Sequence, residues 1–150
     1  MNRISKIVLG VIVGAVVLFA LMQLIPTGVS YTNPPVVSEP NWDSPQTRSL
    51  AQRACFDCHS NETTWPWYSR VAPVSWLVAK DVSDGRRKLN FSDWDPAALS
   101  RGGKDPADEI IREIQNGTMP PWYYTLLHPT AGLSTEEKQQ LINGFKATVP

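Results

Sequence analysis

Cys55-Phe56-Asp57-Cys58-His59 holds both cysteines of the chain and one of its two histidines. Two thiols three positions apart, followed at once by an imidazole, form the CxxCH pattern of c-type haem attachment. Each thiol can add across one vinyl group of a porphyrin, and His59 then reaches the iron as the proximal ligand. With no other cysteine in the chain, the pattern predicts one covalent haem c on Cys55 and Cys58. A thiol–disulfide site is the first alternative. It lacks the βαβ alternation of thioredoxin-like chains, and His59 is surplus to it. Zinc is weaker, because no second pair of ligands exists.

Attachment at CxxCH takes place outside the cytoplasm, so the motif requires an export signal. Residues 7–25, IVLGVIVGAVVLFALMQLI, run for 19 positions without a charge and with one amide, Gln23. At 1.5 Å per residue they span about 28 Å, close to the hydrocarbon thickness of a bilayer. Arg3 and Lys6 precede the run, and no charge follows until Glu39. That asymmetry keeps the N-terminus in the cytoplasm and puts the chain beyond Pro26 on the periplasmic or outer face. Gly28-Val29-Ser30 offers a cleavage site, but the apolar run is longer than a signal-peptide core, which favours a retained single-pass anchor over residues 1–26.

About 120 residues remain, enough for one domain. They carry 12 Lys+Arg against 14 Asp+Glu, without basic blocks, so nucleic-acid binding has no electrostatic support. Residues 27–43 are proline-rich and aperiodic and read as an extended tether, with Val36, Val37 and Trp42 as positions that an ordered arm would pack. Residues 44–150 form the domain, and four helical stretches are expected in it. The first has Ser44 as N-cap and Pro45 at the first position, and sets Leu50, Ala51, Ala54, Cys55 and Cys58 on one core-facing side. A second runs from about Pro73 to Leu89, with Gly85 as a weak point. A third has Asp105 as N-cap, carries Ile110, Ile111 and Ile114, and stops at Asn116-Gly117. The last opens on the capping box of Ser134-Thr135-Glu136-Glu137 and carries Leu141, Ile142 and Phe145. No longer stretch alternates, so the domain reads as all-α.

A haem held by one histidine leaves a sixth iron position. Met119 is the one methionine beyond the anchor, on a loop just past a helix stop, and the prolines after it pre-set the backbone. It is the first candidate for the distal ligand, with His128 second and an open or water-bound position third. Imidazole ligands ordinarily give their other N–H to a carbonyl, and the Pro73 segment lies a suitable loop length after His59. Arg70, Trp65, Trp67, Tyr68, Tyr123 and Tyr124 are candidate donors to the propionates. Arg86-Arg87-Lys88 reads as a solvated helix face or as a docking patch for an acidic redox partner.

The order of elements resembles a class I c-type cytochrome: a helix leading into CxxCH, a proline-bearing loop, a methionine loop and a C-terminal helix packed on the first. More specifically, the chain is similar to the small bacterial haem-binding-domain family of membrane-anchored cytochromes c. The likeness is carried by CFDCHSNETTWPWYSRVAPVSWLVAKDVSDGRRKLNFSDW at residues 55–94 and GTMPPWYY at 117–124, and it extends from about Trp42 to the C-terminus. The resemblance implies haem on Cys55 and Cys58, His59 as proximal and Met119 as distal ligand, and an extracytoplasmic site.

The expected function is therefore one-electron transfer by a membrane-anchored mono-haem cytochrome, a carrier rather than an enzyme. Its expected partners are the membrane and a protein of the respiratory chain or a periplasmic oxidoreductase. The alternative is a sensor or catalytic haem domain with a displaceable distal ligand.

Overall fold

The computed structural model describes residues 2–99 and 105–149. Their regular structure is helical: α1 (Arg3–Met22), α2 (Pro45–Ala54), α3 (Phe56–His59), α4 (Val74–Lys88), α5 (Pro96–Leu99), α6 (Pro106–Gln115), α7 (Trp122–Leu127) and α8 (Thr135–Thr148). Short 3-10 turns occur at Trp67–Arg70 and Pro129–Ala131. Among the described residues there is no strand, only an isolated parallel bridge between Ser38 and Asp93. The all-α expectation is met.

Local capping chemistry explains where α2, α6 and α8 begin. Ser44 Oγ accepts the Thr47 N–H at 3.2 Å, with Pro45 at the position that needs no N–H partner. Asp105 caps α6 through the Ala107 N–H at 2.8 Å. Ser134 and Glu137 exchange hydrogen bonds of 2.8 and 3.2 Å in a reciprocal capping box. The end of α6 is equally local. Gly117, at φ +70°, bonds Ile114, and Thr118 bonds the Glu113 carbonyl at 3.1 Å, a Schellman closure that a side chain at Gly117 would strain. Helix α7 was not foreseen. It follows Pro121 with no side-chain cap, so nothing local announces it.

One expectation is corrected at the motif. The first helix of the domain does not run on to Cys58. Cys55 leaves helical geometry at φ −127°, and α3 is a new turn. The break hands the core position to Phe56, buried at 2 % exposure, and leaves Cys55 and Cys58 half-exposed. Cys55 still packs against that core, whereas Cys58 sits on the new turn.

The chain divides into two compact units, Met1–Tyr31 with Trp65–Asp81 and Thr32–Thr64 with Val82–Pro150. In the first, α1 is capped by Asn2, buries none of its side chains, and is long and apolar enough to cross a membrane. Its end is bonded to the second segment of the same unit. Gln23 Oε1 accepts the Ala72 N–H at 2.9 Å, and Nε2 donates to the Ala72 carbonyl at 3.2 Å.

The second unit holds the main core. Leu50, Ala51 and Phe56 meet Phe91, Ile111, Ile114, Leu141, Ile142 and Phe145, with α8 packed on both α2 and α6. Phe91 is the centre of an aromatic stack, with ring centroids 5.5 Å from Phe56, 5.8 Å from Phe145 and 5.4 Å from Trp42. Each such ring contributes about 1.5–3 kcal/mol by leaving water. Trp42 is thus part of the core, whereas Val36 and Val37 are exposed. The proline-rich segment is extended, and its inner part is tied down. The Val37 N–H bonds the Ser92 carbonyl at 2.8 Å, and Glu39 pairs with Arg48 at 2.7 Å.

Candidate functional site

Cys55, Cys58 and His59 are brought together by the α2–α3 break. Neither thiol is in a disulfide. Enclosure by packed neighbours, with the second thiol close by, pushes Cys55 up to about 12, so it stays protonated at neutral pH. His59 Nδ1 lies 3.1 Å from the Leu89 carbonyl oxygen. A carbonyl can only accept, so Nδ1 carries the proton and the Nε2 lone pair is left for a metal. Burial holds the imidazole below its ordinary value, outweighing the Leu89 and Gly85 carbonyls that favour its charged form. A neutral, oriented imidazole beside two reduced thiols is the donor set that a covalently attached haem requires. Among the described residues no three His, Cys, Asp or Glu side chains gather into a protein-only metal cage.

The carbonyl that holds His59 is not the expected one. The Pro73 carbonyl takes the Trp76 N–H at 3.1 Å, in the first turn of α4. The other end of α4 supplies the partner instead, because Gly85 lets that helix approach the motif closely. A Cβ on Gly85 would stand 2.9 Å from the Cys58 carbonyl carbon and closer still to its oxygen. Read from sequence as a weak point in a helix, Gly85 is the contact that brings Leu89 to His59.

Arg86, one turn before Leu89, is likewise corrected from the solvated-face reading. Its Nε donates to the Ser60 carbonyl at 2.8 Å, and Nη2 donates to Thr63 Oγ1 at 2.9 Å and Asn33 Oδ1 at 3.0 Å. Arg87 keeps an exposed position and pairs with Asp84. The stretch after His59 is held further by the Phe91 N–H on the His59 carbonyl at 2.7 Å and by Ser92 Oγ under the Asn61 N–H at 2.9 Å. An arginine in a run of three cations gives no sign in sequence of this clamp.

Asp57, inside the motif, was also missed. Its carboxylate accepts the Thr64 N–H at 2.8 Å and the Tyr124 hydroxyl at 2.7 Å, which ties α7 to the motif turn. Tyr124, expected as a propionate donor, spends its hydroxyl there. Its ring stacks on His128 with centroids 4.2 Å apart, and His128 Nδ1 lies 3.1 Å from the Tyr124 carbonyl oxygen. Met119 follows the α6 closure, with its N–H on the Glu113 carbonyl at 3.2 Å and its side chain 36 % exposed.

Tyr123, also in α7, meets Trp122 edge-on at 5.9 Å, and the remaining candidates belong to the first unit. Trp65 meets Tyr31 edge-on at 5.1 Å, and its buried indole Nε1 has no hydrogen-bond partner among the described residues. The Arg70 guanidinium covers the Tyr31 ring at 4.7 Å, Trp67 is 79 % exposed beside Tyr68, and Pro73 is exposed.

Comparison with known proteins points to a haem-binding chain. Over 95 residues the chain is 27 % identical to the cytochrome c peroxidase Ccp of Escherichia coli (strain K12), an alignment covering 62 % of this chain. The chain spans about a fifth of the length of that relative. No solved structure matches. The sequence profile of the haem-binding domain matches residues 17–147, nearly the whole described chain. The protein belongs to the haem-binding-domain family.

Proposed function

We propose that the protein is a membrane-anchored mono-haem c-type cytochrome that passes single electrons on the extracytoplasmic side. The observation that carries this reading is the motif turn: two reduced thiols beside an imidazole whose tautomer leaves Nε2 for iron, in a chain of the haem-binding-domain family. Cys55 and Cys58 would hold the haem, and His59 and Met119 would be the ligands of its iron. A haem so bound supplies reversible Fe(III)/Fe(II) exchange. The chain's residues do the rest. Leu89 fixes the imidazole plane and raises its basicity, while the α6 closure and the prolines after Met119 place the thioether. Helix α1 anchors the chain, and a redox protein of the respiratory chain or a periplasmic oxidoreductase is the partner.

A second reading, a catalytic or sensing haem with a displaceable distal ligand, is favoured by the similarity to a peroxidase and by the exposure of Met119. A haem-stained denaturing gel tests covalent attachment, and loss of the stain in Cys55→Ala with Cys58→Ala is expected. The reduced protein should be low-spin and should not bind CO, and Met119→Ala should make it CO-reactive. Rapid stoichiometric CO binding or peroxide turnover by the unaltered protein selects the second reading. An unchanged low-spin spectrum in Met119→Ala removes Met119 as ligand.

A further inference from the structure

We propose that residues 65–77 are a membrane-seated platform, lying in the headgroup layer of the bilayer that α1 crosses. The inference rests on the anchored reading above and adds an interaction surface to it.

The argument starts from Gln23, the one amide in the apolar run. Its side chain pairs with Ala72 in both directions, at 2.9 and 3.2 Å, and Nε2 also bonds the Phe19 carbonyl of α1 at 2.9 Å. Two further bonds join the same parts of the unit: Trp76 Nε1 to the Ile25 carbonyl at 3.5 Å and the Tyr31 hydroxyl to the Ser69 carbonyl at 2.6 Å. Positions 69, 72 and 76 therefore travel with the end of α1. The 20 residues of α1 rise about 30 Å, one hydrocarbon thickness, so a spanning α1 brings Gln23 and Ala72 to the outer boundary together.

The side chains presented at this level suit that boundary. Trp67 is 79 % exposed, Val74 41 % and Leu77 44 %, all within a dozen residues. In water each leaves apolar surface open to solvent, Trp67 even with Tyr68 edge-on to it, whereas indole rings concentrate at the membrane–water interface. Beside them Arg70, Gln23, Thr27, Tyr31 and Ser75 line a cavity of about 570 Å³. The Arg70 guanidinium, held over Tyr31, has the charge and planar fork that a lipid phosphate accepts. The family match begins at residue 17, so the outer part of α1 is included with the rest of the domain.

The test uses the full-length holo-protein in phosphatidylcholine–phosphatidylglycerol nanodiscs. Nitroxide labels are placed singly at Leu18→Cys, Val74→Cys and Leu77→Cys, with the native thiols taken up by haem. Depth is read by power-saturation EPR with oxygen and a water-soluble nickel chelate. Labels at 74 and 77 are expected within about 10 Å of the phosphate level, shielded from nickel relative to free label in buffer, with the label at 18 in hydrocarbon. Gln23→Leu keeps the apolar length and removes the tie, so nickel access at 74 should rise toward the buffer value. A label at 18 in lipid with labels at 74 and 77 fully open to nickel overturns the platform and leaves the anchor standing. A label at 18 open to nickel overturns the anchor, and the platform with it. Unchanged access at 74 in Gln23→Leu refutes the tie as the positioning device.

Discussion

Replacing Gly85 by alanine sets two effects of opposite sign against each other. In an open helix the change gains about 1 kcal/mol of helix propensity. In α4 the new methyl would lie 2.9 Å from the Cys58 carbonyl carbon, where carbon pairs settle at about 3.5–4.0 Å. Either α4 or the motif turn must then retreat by the difference, about 0.6–1.1 Å. Overpacking against backbone costs about 1–3 kcal/mol, because backbone cannot rotate aside as a flexible side chain can. The clash wins, with a net loss of about 1 kcal/mol. Leu89 sits just past α4, so the same retreat stretches the 3.1 Å bond from His59 toward about 3.7–4.2 Å, beyond hydrogen-bonding range. An imidazole that no longer donates to a carbonyl is less basic and supports Fe(III) less well, so the reduction potential should rise. Guanidinium unfolding followed at the Soret band, together with potentiometric titration, reads both effects. A Gly85→Ala protein that is more stable than the parent, with an unaltered potential, would show that only propensity acts and that α4 does not press on the motif.

Three further outcomes follow from the same contacts. Gly144→Ala should lower stability by about 1–3 kcal/mol in thermal unfolding, because its Cβ would stand 2.8 Å from Thr47 Cβ where α8 crosses α2; Thr47→Ala in the same chain should recover part of the loss. Arg86→Lys should not rescue Arg86→Ala, which is expected to cost about 2 kcal/mol, since an ammonium cannot reach Ser60, Thr63 and Asn33 from one place; equal stability of the Lys variant and the parent would contradict the clamp. Glu39 is held below the ordinary carboxylate value of about 4.5, chiefly by the hydrogen bond from Arg48. A lowered folded-state value means that its contribution is present above about pH 4.5 and fades as pH falls through that lowered value. Glu39→Gln should flatten the acid limb of stability against pH, and an unchanged limb would place that dependence elsewhere.

How much of this was legible in the sequence depends on the range of the interaction concerned. Caps at Ser44, Asp105 and Ser134 and the stop at Gly117 are settled within four or five residues, so their signals are readable and the helix ends fall where the side chains ask. The CxxCH pattern is equally local. Helix α7 was missed because its start carries no capping side chain. The first domain helix was drawn too long because apolar spacing continued through Cys58, while burial of Phe56 beside Phe91 and Trp42 interrupted it at Cys55.

CFDCH by itself announced a candidate site for one haem, since the two thiols and the imidazole are neighbours in the chain. The apolar run determined a candidate span in the same way, by composition over consecutive residues. The surroundings of His59 were decided only by the tertiary structure. Leu89 stands thirty positions from His59, Arg86 twenty-six from Ser60, and Tyr124 sixty-seven from Asp57. No local period records such pairs. The first two arise where α4 can come close enough to the motif turn, and the missing side chain of Gly85 is what allows it, while the third depends on α7.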